Sequence, residues 1–159
     1  MHWNGTGRTG SDHKTVAMDT IRIIDLPKFI DPRGNLTFAQ SGEQLPFPIR
    51  RVFWTYDVPG GEQRGGHAYG EQAEVIIALS GSFDVVITET DGSQTRFTLN
   101  RSYYGLYMPP LTWRHVENFS TNALILHIAS TTFRREDCLY DFEAFKVRKK
   151  SRTDVADRI

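Results

Sequence analysis

The stretch Gly61-Glu62-Gln63-Arg64-Gly65-Gly66-His67-Ala68-Tyr69, followed by Glu74 and Gly81, decides how this chain is read. It is spaced like a metal-binding β-barrel motif: Gly, five residues, His-x-His, four residues, Glu, six residues, Gly. The fit holds at every position except one, because Tyr69 stands where the second His belongs. Two side chains spaced like His67 and Tyr69 share one face of a strand, so both should look into a barrel interior.

The second half of such a motif lies in Pro109-Pro110-Leu111-Thr112-Trp113-Arg114-His115-Val116-Glu117-Asn118. There a Pro is followed five residues later by a His ligand and four residues after that by Asn. Counted from Pro109 and checked against Asn118, this register puts Arg114 at the ligand position and turns His115 away. A permanent guanidinium repels a divalent cation instead of binding it. Only His67 and Glu74 then remain of four ligands, too few for a functional zinc, iron or manganese. A competing register, with a bulge turning His115 inward, would give His67, Glu74 and His115 as a metal set.

The surrounding pattern is that of an all-β domain. Phe83, Val85 and Ile87 alternate within Ser82 to Thr88, Asp91-Gly92 marks a tight turn, and Gln94 to Leu99 returns as the partner strand. Further strands are expected at Ile21 to Asp25, Leu36 to Ala39, Ile49 to Tyr56, Glu74 to Ser80, Leu106 to Met108, Trp113 to Asn118 and Ala123 to Ala129. About nine short strands punctuated by Gly and Pro imply a β-barrel or double-sheet jelly roll. One short C-terminal helix is expected over roughly Glu136 to Lys150, where Leu139, Phe142 and Phe145 recur at three-residue spacing.

The 159 residues suffice for one domain with a real core. We expect a flexible extension over residues 1–20, with Met18 a candidate natural start, a barrel domain over 21–150 and a tail over 151–159. With 19 basic and 19 acidic residues there is no bulk field for nucleic acid or an anionic membrane, so an anionic ligand needs local clamps. No apolar run approaches the roughly 18 residues of a membrane span. A single cysteine, Cys138, fits a reducing, cytoplasmic setting.

Several segments together carry a family resemblance: Asp31-Pro32-Arg33-Gly34-Asn35-Leu36, Ile49-Arg50-Arg51-Val52, Arg64-Gly65-Gly66-His67-Ala68, Ala78-Leu79-Ser80-Gly81-Ser82, Gly105-Leu106-Tyr107 and Trp113-Arg114. From about Ile21 to Lys146 the chain resembles the cupin-fold, WxcM-like sugar 3,4-ketoisomerases. These act on dTDP-4-keto-6-deoxyglucose in bacterial surface-glycan pathways. The resemblance implies a cupin jelly roll, no metal or other cofactor, and a homodimer formed through exchanged N-terminal strands, here Ile21 to Asp25. It implies proton transfer from C3 to C4 of the sugar through an enediol(ate), with the two histidines of His-Ala-His as the catalytic pair. Only His67 matches.

Tyrosine is a poor base but a competent acid and hydrogen-bond donor. The expected division is therefore His67 as proton shuttle, Tyr69 as acid or phenolate partner, and Arg114 as the cation that lowers the tyrosine and supports the oxyanion. Arg33, Arg51 and Arg64 are candidate phosphate contacts, since arginine's planar fork suits a diphosphate. Tyr107, with Tyr103 and Tyr104, is a candidate for stacking on base or sugar. Within the family, Arg33 goes with one product configuration at C4 and Arg114 with the other, so both products stay open. A 3,5-epimerase on the same substrate and a non-catalytic sugar-nucleotide binder are the alternative functions. His127, alternating with apolar neighbours, reads as structural, and nothing is assigned to His2 or His13.

Overall fold

The computed structural model describes residues 19–157, so most of the expected N-terminal extension lies outside the described residues. Two five-stranded antiparallel sheets face each other. The larger runs in the order β1 (Arg22–Asp25), β9 (Tyr104–Met108), β6 (Glu74–Ser80), β11 (Leu124–Ala129), β4 (Arg51–Thr55). The smaller runs β12 (Cys138–Leu139), β5 (Arg64–Tyr69), β10 (Trp113–Glu117), β7 (Phe83–Thr88), β8 (Gln94–Leu99). A separate hairpin of β2 (Lys28–Asp31) and β3 (Gly34–Thr37) turns at Pro32-Arg33. This is the expected cupin jelly roll.

Alternation along the strands sorts side chains into three layers. Between the sheets lie Ile76, Ala78, Phe83, Val85, Ile87, Leu106, Met108, Val116 and Ile125. On the outer face of the larger sheet, Ile24, Val75, Ile77, Tyr107 and Ile128 are covered by Leu26, Leu45 and Phe47. On the outer face of the smaller sheet, Ala68, Leu111 and Trp113 meet Leu139, Phe142 and Phe145. Ala68 and Trp113 therefore face the helix, which leaves their strand neighbours His67, Tyr69 and Arg114 facing inward.

The helix, α1, spans Phe142–Ala156, starting and ending later than the apolar spacing suggested. The reason is Asp137. Its buried carboxylate accepts hydrogen bonds from the backbone N–H groups of Glu71 (2.8 Å) and Gln72 (3.2 Å), so Arg135–Asp137 forms a 3₁₀ turn clamping the β5–β6 connection. Cys138 and Leu139 then pair with Tyr69 and Ala68. Helix formation waits for Asp141, whose side chain caps it by accepting from the Ala144 N–H at 2.7 Å.

Candidate active site

A β-bulge builds the site. Across the β5–β10 ladder Arg114 is opposite His67 while the next residue, His115, is opposite Gly65, so β5 carries Gly66 as an extra residue. Gly65 and Gly66 both adopt positive φ, 101° and 75°. A Cβ on Gly65 would sit 3.0 Å from the Arg114 carbonyl oxygen and 3.1 Å from His115 Cα, so only glycine fits. On its other side β10 pairs with β7 in unbroken register from Trp113 to Glu117. The bulge thus lies in β5 and not in β10, and Arg114 faces inward as the motif register predicts. His115 stays on the outer face, its Nε2 3.1 Å from Glu117 Oε2.

His67, Tyr69, Glu74 and Arg114 line a cavity of about 160 Å³ between the sheets, together with Thr55 and His127. Glu74, 2% exposed, is its electrostatic centre. One carboxylate oxygen accepts from Arg114 Nη2, and the other lies 2.5 Å from His127 Nδ1. Burial pushes this carboxyl up, but the Arg114 charge and the His127 hydrogen bond prevail and hold it at about 2. The Arg114 guanidinium in turn lies over the Tyr69 ring, 4.4 Å from its centroid, and donates to the Thr112 carbonyl at 3.3 Å.

The two motif side chains meet edge to face, with ring centroids 5.0 Å apart. Burial and the nearby Arg114 charge push the His67 imidazolium down to about 4, outweighing the attraction of Glu74. His67 is therefore a neutral imidazole at pH 7, competent to accept a proton. Tyr69 moves the opposite way to the expectation. Its burial and the Glu74 charge push its hydroxyl up, and Arg114, already neutralised by Glu74, does not reverse this. Tyr69 is thus a protonated donor and not a phenolate, and its hydroxyl carries no hydrogen bond among the described residues.

The remaining candidates are scattered. Arg64 is exposed at the cavity mouth. Arg33 caps the β2–β3 hairpin, its side chain 81% exposed and paired with Asp31 at 2.8 Å, away from the cavity lining. Arg51 lies against the Phe53 ring, 4.7 Å from its centroid, and donates to Gln72 Oε1 at 2.9 Å, also outside the lining. Tyr107 is turned to the opposite face of the larger sheet, 1% exposed and packed with Phe47 under the Arg22 guanidinium. Alternation gives Leu106 and Met108 the inward side, so Tyr107, expected to stack on base or sugar, lies outside the cavity lining. Tyr103 lines a different groove, under the hairpin, with Lys28 over its ring.

His127, read from the sequence as structural, also lines the cavity. Its ring stacks on Phe53 at 4.3 Å, its Nδ1 meets Glu74 and its Nε2 lies 3.1 Å from Thr55 Oγ1. A signal existed, since a histidine in an otherwise apolar strand requires a buried polar partner. Only the β11–β6 pairing reveals that the partner is Glu74.

The sequence model of the family described as FdtA, WxcM-like, C-terminal, matches residues 19–150. The chain belongs to this family. It is 31% identical over 125 residues to a TDP-4-oxo-6-deoxy-α-D-glucose-3,4-oxoisomerase of Aneurinibacillus thermoaerophilus, covering 79% of this chain and 89% of that one. Among solved structures it is similar to QdtA, a sugar 3,4-ketoisomerase from Thermoanaerobacterium thermosaccharolyticum in complex with TDP, with 27% identity, a TM-score of 0.80 and coverage of 83% and 96% of the two chains. It is also similar to WlaRB, a TDP-quinovose 3,4-ketoisomerase from Campylobacter jejuni, with 30% identity, a TM-score of 0.75 and coverage of 79% and 96%.

Proposed function

We propose that this chain is an isomerase, a sugar-nucleotide 3,4-ketoisomerase that converts dTDP-4-keto-6-deoxyglucose into its 3-keto isomer. The observation that carries the reading is that His67, Tyr69 and the Arg114 guanidinium share one cavity in a chain of the FdtA, WxcM-like family. His67 takes the proton from C3, the electron pair moves onto the C4 carbonyl, and the new oxyanion meets the Tyr69 hydroxyl and the Arg114 charge. Return of the proton to C4 leaves the ketone at C3. A 160 Å³ cavity lies below the roughly 300–1,000 Å³ of whole-ligand pockets, so it takes the sugar ring, with the diphosphate outside beside Arg64.

The chemistry is proposed to need no metal. Tyr69 replaces the second histidine of the motif, the Arg114 guanidinium stands at the histidine position of its downstream half, and both oxygens of Glu74 are engaged by Arg114 and His127. Among the described residues no cluster of three His, Cys, Asp or Glu side chains has metal-binding geometry.

We further propose a cytoplasmic homodimer. No helix among the described residues is long and apolar enough to cross a membrane, and Cys138 is a free thiol. The outer face of the larger sheet exposes Val52, Trp54, Tyr56 and Leu79, an apolar strip that a second copy would cover. β1 pairs with β9 of its own chain in this structure, a ladder that an exchanged strand can make equally well.

The test is direct assay of the purified chain on dTDP-4-keto-6-deoxyglucose, with NMR of the product and an EDTA-treated sample alongside. The expected result is a 3-keto sugar formed at the same rate in both. Unchanged substrate would refute the isomerase reading, and loss of turnover with EDTA would refute metal independence.

A further inference from the structure

Moving a ketone from C4 to C3 demands two proton transfers, one between the carbons and one between the oxygens O3 and O4. His67 can serve the carbons. Nothing assigned above serves the oxygens, because Tyr69, lacking a hydrogen-bonded base, has no means of taking a second proton as it gives up its own.

An array on the larger sheet, half-buried at Thr55 and buried at His127 and Glu74, has the missing property. Thr55 Oγ1 is 3.1 Å from His127 Nε2, and His127 Nδ1 is 2.5 Å from Glu74 Oε1. Hydroxyl, imidazole and carboxylate stand in a row, the arrangement that lets a hydroxyl exchange protons through an oriented imidazole. An ionised Glu74 can only accept, so Nδ1 carries the proton; in the neutral ring Nε2 is then the acceptor and the Thr55 hydroxyl donates to it. Phe53 fixes the ring plane by stacking at 7°. Arg114 holds the other oxygen of Glu74, so the carboxylate cannot turn away. Thr55 and His127 line the same cavity as His67.

We propose that Thr55, backed by His127 and Glu74, is the second acid–base group of this enzyme and carries the proton from O3 to O4 of the enediolate. The inference rests on the ketoisomerase reading. After His67 removes the C3 proton, O4 bears the negative charge and O3 still holds its proton. Thr55 receives the O3 proton as its own passes to His127 Nε2. It then delivers a proton to O4 as Nε2 returns one. The electron pair released at O3 forms the C3 carbonyl while C4 takes its proton from His67, so no outside oxidant, reductant or base is consumed. Thr55 is the catalytic residue, and His127 and Glu74 are positioning residues acting through it.

The relay separates two events that a merely structural role would not. In heavy water, Thr55→Val should still wash deuterium into C3 of recovered 4-keto sugar, within about threefold of the native rate. Product formation should fall by roughly 100-fold or more, the usual scale of a lost acid–base group. Thr55→Ser, which keeps the hydroxyl, should recover most of the turnover, and His127→Gln should show the same split as valine. Loss of C3 exchange and turnover in parallel in the valine and glutamine variants would overturn the proposal. So would valine turnover within tenfold of native. Native protein that neither exchanges C3 nor forms product would instead refute the isomerase reading itself.

Discussion

Replacing Glu74 with glutamine removes one charge from the centre of the molecule and little else. Glutamine keeps a carbonyl able to accept from His127 Nδ1, but it leaves the Arg114 guanidinium, 5% exposed, without a counter-charge. Breaking a buried pair from one side costs about 3–5 kcal/mol. The lowered carboxyl points the same way: held at about 2 instead of 4.5, it corresponds to about 3 kcal/mol of stability at neutral pH. For a chain of this size such a loss lowers the melting temperature by roughly 6–20 °C. Urea unfolding at pH 7, at fixed protein concentration so that any dimer contribution is constant, measures it. Glu74→Gln combined with Arg114→Met should recover most of the loss, because no orphan charge remains. A Glu74→Gln variant within about 1 kcal/mol of native would show that the pair behaves as a solvated surface bridge and would refute the buried-hub argument.

Tyr69→Phe keeps the ring beneath Arg114 and removes only the donor, so turnover should fall about 100-fold with melting unchanged; equal turnover would remove the hydroxyl from the mechanism. The acid limb of kcat/KM should fall near pH 4, where His67 titrates in the folded protein, and a midpoint near 6.5 would mean that His67 is solvated. The unfolded chain binds the His67 proton more readily than the folded one, so stability should rise with pH between about 4 and 6.5. The Glu74 contribution has the same sign and is lost between about 4.5 and 2. Gly65→Ala should cost about 1–3 kcal/mol and displace Arg114, whereas Gly60→Ala, with open space around it, should be neutral in the same denaturation assay.

The fold was legible because its signals are local. Period-two apolar runs, the Asp91-Gly92 turn and the Gly and Pro breaks each mark one strand or turn without knowledge of the rest. The inward placement of His67, Tyr69 and Arg114 followed from alternation and motif spacing alone. Partner choice did not follow. His127 looked structural because its partner Glu74 lies 53 residues earlier, on a strand whose neighbour only the topology specifies. Of the two roles open to Tyr69, acid or phenolate, the raised hydroxyl favours the acid, because Glu74 claims the Arg114 charge that would have lowered it. Helix α1 started late because a buried Asp137 is needed by the β5–β6 turn, a tertiary demand that overrides apolar spacing. Arg33 and Arg51 belonged to the quoted motifs, yet ion pairing and stacking occupy them outside the cavity lining.

In the proposed reaction His67 moves a proton between C3 and C4 of a 4-keto sugar nucleotide. Incubating the protein with dTDP-4-keto-6-deoxyglucose in heavy water and locating deuterium in the product by NMR tests it most directly. The expected result is a 3-keto product labelled at C4, and no label with His67→Asn. Deuterium at both C3 and C5 with the ketone still at C4, or label undiminished by His67→Asn, would contradict it.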